Sequence, residues 1–244
     1  TPKPSSAASD VYKRQGADSV RLYKLPNAGE PATPYATTVH KIGPQAAGRT
    51  ASTSESWGGL VTAPSVVLFS SFAGEPEGWL SRTFKTNERW SDPSRFVATR
   101  DVTGGERPMA LTFSPRSEVV SGQIGTWDKP KDSRISFLNL NTGKLLANYR
   151  IDLHDVVALE YSPKTGQLYA LDLAWSQPAD AGLYQVVATY SEGRLGVQAK
   201  KIVALPRPTS LAFQADGTLY VTTLGAVDAP VARSGQLWKI TPGL

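Results

Sequence analysis

Four segments of this chain repeat the same order of strand and turn signals, and this repetition constrains the fold more than any other feature. The clearest copy runs from Asp155 to Trp175, where two runs rich in β-forming residues flank the turn segment 162–166, SPKTG. Proline presets φ and glycine accepts positive φ, so this segment is predicted to form a β-hairpin. Equivalent leucines of the copies are spaced by 51, 48 and 52 residues: Leu60, Leu111, Leu159 and Leu211.

Each complete copy continues with two further strand signals. In the second copy these are Ile135–Leu140 and Leu145–Ile151, joined by the hairpin turn 141–144, NTGK. Four strands in a repeat of about 50 residues are the signature of β-propeller blades, and a β-sandwich would not return the same order of turns. The sequence predicts an all-β protein, a β-propeller of four-stranded antiparallel blades. It would have about three complete blades and two partial ones, as the C-terminal part of a larger propeller.

The two ends of the chain do not match each other. Residues 1–15 are interpreted as a non-native or disordered leader, because the segment 5–15, SSAASDVYKRQ, resembles a translated sequencing adapter in proteins from assembled metagenomes. Residues 16–244 are predicted to be one propeller domain. Its units are a partial blade 16–55, blades 56–105, 106–153 and 154–206, and a partial blade 207–244. If the leader has replaced a signal peptide, the native protein is periplasmic or secreted.

Composition excludes several classes of function. The formal charge of +5 comes from 26 basic and 21 acidic residues without a dense basic block, which argues against a nucleic-acid partner. The absence of cysteine excludes disulfides, thiol catalysis and cysteine-ligated metals. The longest apolar runs are strand-length, so no membrane span is predicted.

The last unit carries a resemblance to known families. The segment 205–225, LPRPTSLAFQADGTLYVTTLG, resembles the closing blade of scytonemin-biosynthesis-type propellers, and more broadly the NHL and gluconolactonase/regucalcin-like propellers. The matching pattern runs from Pro208 to Thr222, and looser copies extend the resemblance over roughly the C-terminal half. The resemblance implies a propeller but separates functions poorly, because Asp-Gly and Leu-Tyr-Val are scaffold features.

A candidate site is predicted where long loops gather. In every unit, the loop from the second to the third strand is long and contains a proline, and it shares a face with the starts of the blades. Glu75, Trp79, Trp127 and Asp128 lie on or near these loops. The predicted ligand-binding residues of this rim are Trp57, Arg107, His154, Asp155, Asp172, Trp175 and Arg207.

These residues permit more than one interpretation. His154 and Asp155 are suited to metal ligation or proton transfer, or Asp155 caps a turn and His154 lies in solvent. The tryptophans suit stacking on a planar ligand or packing between blades. Arg107 and Arg207, each before a proline, suit an anionic ligand or a salt bridge between blades. Glu160 is expected to point between blades or to pair with a basic residue.

The sequence therefore supports two functions. The first is a non-catalytic propeller that binds a protein or a small ligand on its long-loop face. The second, implied by the gluconolactonase/regucalcin-like resemblance, is a hydrolase or lactonase dependent on calcium or another divalent cation. Its ligands would be Asp155 and Asp172, although the asparagines expected of that family are absent from the corresponding positions.

Overall fold

The structure, a computed structural model, describes residues 14–16, 19–24, 33–36, 55–73, 77–87, 89–91, 93–125, 129–225 and 235–240. Within these residues the chain is all-β apart from one short helix, and four antiparallel sheets form the ring of a β-propeller. The predicted fold class is confirmed. A separate three-stranded sheet contains β1 Arg14–Gly16, β2 Ser19–Lys24 and β3 Thr33–Ala36.

The four sheets of the ring are called blades I to IV. Blade I contains β4 Glu55–Ala63, β5 Val66–Ala73, β6 Glu77–Thr86, β7 Arg89–Trp90 and β8 Ser94–Ala98. Blade II contains β9 Arg107–Phe113, β10 Val119–Ile124, β11 Arg134–Leu138 and β12 Leu145–Arg150. Blade III contains β13 Val156–Tyr161, β14 Leu168–Asp172, β15 Gly182–Ser191 and β16 Arg194–Ala204. The described part of blade IV contains β17 Pro208–Phe213, β18 Leu219–Thr223 and β19 Gln236–Ile240.

One predicted strand of blade I is shorter than expected. The sequence predicts a strand from Arg95 to Val102, but β8 ends at Ala98 and the helix α1 Thr99–Thr103 follows. The helix is closed by Gly104 in the left-handed conformation (φ 71°), whose N–H donates to the carbonyl of Arg100 at 2.9 Å. This cap explains where the helix between blades I and II ends.

Three hydrophobic cores lie between successive blades. Leu68 and Leu80 of blade I pack with Leu111 of blade II, and Ile135 of blade II belongs to a cluster with Val156 of blade III. Consecutive residues of one strand serve opposite cores. In β14, Leu168 and Ala170 belong to the cluster shared with blade II, whereas Tyr169 and Leu171 belong to the cluster shared with blade IV. Strand β14 is therefore apolar on both faces, in agreement with its hydrophobic sequence LYAL.

The first strand of each blade lies at the centre of the ring. The strands β4, β9, β13 and β17 each stand at one end of the hydrogen-bonded order of their sheet. Strand β9 packs against β4 and β13, and β13 packs against β17. One edge of each inner strand is therefore not paired within its own sheet, and these edges face one another around the axis.

Candidate functional site

A cavity of about 430 Å³ lies between the four inner strands. Because the inner strands of the four blades are equivalent, the wall residues form layers, and each layer has one residue from each blade. The outermost layer is Gly58, Met109, Val157 and Thr209; the next is Gly59, Ala110, Ala158 and Ser210; the innermost is Leu60, Leu111, Leu159 and Leu211. The leucines that define the sequence repeat thus form one layer of this cavity.

The small residues of the middle layer are needed for close approach of the blades. A methyl group added at Gly59 would lie 2.7 Å from the backbone nitrogen of Leu111 and 2.8 Å from the carbonyl oxygen of Met109. The pairing of β4 with β5 shifts register between Trp57 and Leu60, where this glycine and its neighbour lie. The glycine pair therefore lets β4 approach β9 closely.

The chemistry of the cavity wall is uncharged. Among the described residues that line it, none has an ionisable side chain, and Thr209 and Ser210 carry the only hydroxyls. Thr209 Oγ1 donates to the carbonyl of Thr222 at 3.2 Å, which holds the hydroxyl at the wall. Backbone N–H and C=O groups on the free edges of the inner strands supply further polar groups, so the cavity can accept a neutral ligand with a few hydrogen-bonding groups.

All seven predicted rim residues lie within three residues of a lining residue. Asp155, Arg107 and Arg207 each precede a lining residue of an inner strand by two positions, and Trp57 adjoins Gly58. Asp172 and Trp175 flank Leu173, which also lines the cavity. Since a strand rises by about 3.3 Å per residue, the rim surrounds the outer opening of the cavity. Glu75, Trp127 and Asp128 lie outside the described residues.

A buried carboxylate organises this rim in blade III. Asp172 is fully buried, and its two oxygens accept backbone N–H bonds from His154 at 3.0 Å, Asp155 at 2.7 Å and Ala174 at 3.1 Å. Burial raises the pKa of Asp172, and these hydrogen bonds oppose that rise. Asp172 therefore joins the start of β13 to the end of β14.

Asp155 makes a second link across the same rim. Its Oδ2 accepts the backbone N–H of Trp175 at 2.7 Å, and its side chain is buried. The capping role considered for Asp155 is therefore present, but it caps the loop after β14 instead of its own turn. The structure thus brings together four of the predicted residues: His154, Asp155, Asp172 and Trp175.

His154 is buried, in contrast to the interpretation that it lies in solvent. Only 7% of its surface is exposed, and its Nε2 lies 3.0 Å from Oδ2 of Asp180 in the β14–β15 loop. The hydrogen bond from His154 is the largest cause that lowers the pKa of Asp180, and Lys131 at 3.7 Å contributes to it. Asp180 is the partner that the sequence analysis did not assign to the site, because a loop aspartate carries no sequence signal for a contact 26 residues away.

Arg207 joins the cluster from the neighbouring blade. Its guanidinium carbon lies 4.9 Å from the ring centroid of Trp175, a cation–π contact, and 53% of Trp175 is exposed. Arg107 stands at the equivalent position of blade II and has a half-buried side chain. Trp79 is not part of the cluster: its ring packs under Arg95 of the same blade, at 4.4 Å.

The described carboxylates of the rim are already engaged by backbone N–H groups. Both oxygens of Asp172 and one of Asp155 already accept backbone N–H groups. Across the part of the chain that the structure describes, no cluster of three His, Cys, Asp or Glu side chains is arranged to hold a metal ion. The same residues include no helix long and apolar enough to cross a membrane.

Comparison with known proteins supports the fold. No protein-family model and no curated protein matches the chain. Among solved structures, the luciferin-regenerating enzyme is similar with a TM-score of 0.58 and 12% identity, over 92% of this chain and 71% of that chain. A gluconolactonase-like protein has a TM-score of 0.52 and 16% identity, over 90% of this chain and 66% of that chain.

A third structure is an oxidoreductase of the glucose dehydrogenase type from Thermus thermophilus. It has a TM-score of 0.43 and 14% identity, over 91% of this chain and 90% of that chain. At these identities the two structures with higher TM-scores show a shared β-propeller fold.

Proposed function

We propose that this protein is a non-catalytic β-propeller that binds a small ligand in its axial cavity, from the face that carries the long loops. The observation that carries the proposal is the cavity of about 430 Å³ between the inner strands, a size common for small-molecule sites. The described part of its wall has no ionisable side chain to act as an acid, base or nucleophile. The C-terminal motif favours a propeller near the scytonemin-biosynthesis and NHL types.

The ionisable groups at the rim support binding over catalysis. Asp172 and Asp155 hold backbone N–H groups, and His154 is held against Asp180. A catalytic acid or base must reach the reacting atom, whereas these side chains already hold the blade and the loop together. Their arrangement fixes the mouth of the cavity and pre-organises it for a ligand.

The proposal is tested by filling the cavity. Ser210→Leu places a larger side chain in the middle layer of the wall, and Ser191→Leu makes the same change at the exposed end of β15. Both variants and the unmodified protein are screened against neutral monosaccharides, lactones and aromatic alcohols by saturation-transfer NMR. We expect the screen to find ligands that bind the unmodified protein and Ser191→Leu but do not bind Ser210→Leu. Binding that survives Ser210→Leu would overturn the cavity as the site.

The metal-dependent lactonase is the second candidate, because one similar structure is gluconolactonase-like. The carboxylates Asp155 and Asp172 do not fit this reading, since their oxygens accept backbone N–H groups. The measurement that separates the two functions is the Tm with and without calcium. We expect no calcium-dependent rise; a rise that Asp155→Ala removes, with hydrolysis of gluconolactone, would favour the lactonase.

A further inference from the structure

Arg207 has features that the scaffold alone does not explain. It is a non-glycine residue in the left-handed region (φ 52°), a conformation that costs on the order of 1 kcal/mol or more. Its carbonyl accepts the N–H of Leu224 at 2.9 Å, which holds this conformation. The side chain of Arg207 lies against Trp175 of blade III.

The guanidinium of Arg207 also keeps unused hydrogen-bonding capacity. Its Nε is buried and has no hydrogen-bond partner within the described part of the chain. Among the described residues no carboxylate lies within ion-pair distance of it, so the alternative of a salt bridge between blades is not found there. A buried donor without an acceptor costs about 1–3 kcal/mol, and an oxygen from a ligand recovers this free energy if the side chain of Arg207 shifts to expose Nε.

Trp175 completes a platform at this point. The indole ring covers one face of the guanidinium and remains half-exposed. Stacking leaves the N–H groups in the guanidinium plane free to donate, and this planar fork matches the two oxygens of a carboxylate. Because Arg207 lies two residues before Thr209 of the cavity wall, an anion bound there is next to the cavity opening.

The wall of the cavity and its mouth differ in charge. The wall residues that the structure describes carry no ionisable side chain, whereas the mouth carries the Arg207 guanidinium. On the basis of the proposed function, we propose that the ligand is a small organic acid: its carboxylate binds Arg207 over Trp175, and its uncharged body fills the axial cavity. A single guanidinium with one unsatisfied Nε suits a singly charged carboxylate better than a phosphate dianion, which needs more donors.

The proposal is tested with matched pairs of probes that differ only in charge. Phenylacetate and hexanoate are each compared with the corresponding amide, and phenyl phosphate is the third anion. Dissociation constants are measured near neutral pH at low and high NaCl by titration calorimetry. We expect each carboxylate to bind about tenfold or more tightly than its amide and to weaken with salt, while the amides are insensitive to salt.

Substitutions of Arg207 test whether this residue causes the preference for carboxylates over amides. Arg207→Gln is expected to reduce the affinity for the carboxylates to that for the amides, and Arg207→Lys to give an intermediate value because lysine lacks the fork. Arg194→Gln removes the same charge from the exposed start of β16 and is expected to change nothing. If Arg207→Gln does not fold, the salt dependence of the unmodified protein still decides the outcome.

The outcomes separate this inference from the proposed function. Equal binding of acid and amide, both lost in Ser210→Leu, would overturn the carboxylate and leave the cavity as the site. Tighter binding of phenyl phosphate than of the carboxylates would indicate a site for phosphate esters at the mouth and would overturn the proposal of a carboxylate ligand. Absence of binding by every probe would contradict both proposals.

Discussion

At the scale of single residues, the rim depends on carboxylates that act as hydrogen-bond acceptors. Asp172 and Asp155 together accept four backbone N–H groups, two from the residues just before β13 and two from the loop after β14. Sequence patterns identified both residues, but their partners depend on the register of β13 against β14 and on the path of the loop. The alternative that placed His154 in solvent was wrong for the same reason. Its burial depends on the path of the β14–β15 loop.

Asp172→Ala tests the role of this carboxylate. The substitution leaves three buried N–H groups without an acceptor, so we expect the free energy of unfolding to fall by about 3 kcal/mol. Asp152→Ala is the control, because Asp152 is an exposed aspartate near the same strand. The free energies are measured by urea denaturation. A loss in Asp172→Ala no larger than in the control would contradict the proposed anchoring role.

Glu160 is a second residue with a measurable signature. Its Oε2 accepts the N–H of Phe213 at 3.2 Å in the neighbouring blade, as expected for a residue between blades, and burial raises its pKa to about 7 from 4.5. The folded protein thus favours the protonated form. The contribution of Glu160 to stability is full below about pH 4.5 and is lost as the pH rises through about 7.

Glu160→Gln is therefore expected to be more stable than the unmodified protein at high pH, and the difference should grow between about pH 4.5 and 7. The limit set by the pKa shift is about 3 kcal/mol. Glu192→Gln, at an exposed turn, should show no such growth. The measurement is urea denaturation over this pH range, and parallel pH profiles of the two variants would contradict the raised pKa.

At the scale of elements, the strands and the turns of the ring were largely predictable. Strands β11 and β12 lie within one or two residues of the predicted bounds, because local β-formers and turn residues agree there. Helix α1 was not predictable from propensity, since Thr99–Thr103 contains β-branched residues and its cap at Gly104 is visible only in the structure. The close approach of β4 and β9 was equally unpredictable, because a Gly-Gly pair occurs in many structural contexts.

Gly59→Ala tests this close approach. The added methyl group would meet backbone atoms of β9 at 2.7 and 2.8 Å, so blades I and II must separate. We expect a loss of about 1–3 kcal/mol in the free energy of unfolding. Gly235→Ala is the control, because its methyl group would lie 3.7 Å from the nearest heavy atom. The two variants are compared by denaturant unfolding, and equal stability would contradict the packing of β4 against β9.

At the scale of the whole molecule, the repeat explains both the fold and the place of the cavity. The spacing of the leucines predicted the inner strands, and those leucines form one layer of the cavity wall. The volume of the cavity was beyond sequence analysis, because it depends on how the four inner strands pack around the axis. Seven candidate residues were located near the opening by loop position alone, whereas Thr209, Ser210 and Asp180 required the structure.

Met109 provides the most direct test of the central claim, that the axial cavity is the ligand site. It is the single methionine of the sequence and lines the cavity, so a ¹³C-methyl methionine label reports on the cavity alone. We expect the methyl resonance of Met109 to shift saturably when a ligand found in the screen is added, with the same Kd as in calorimetry, and not to respond in Ser210→Leu. A ligand that binds with this Kd while the Met109 resonance stays unchanged would contradict the account.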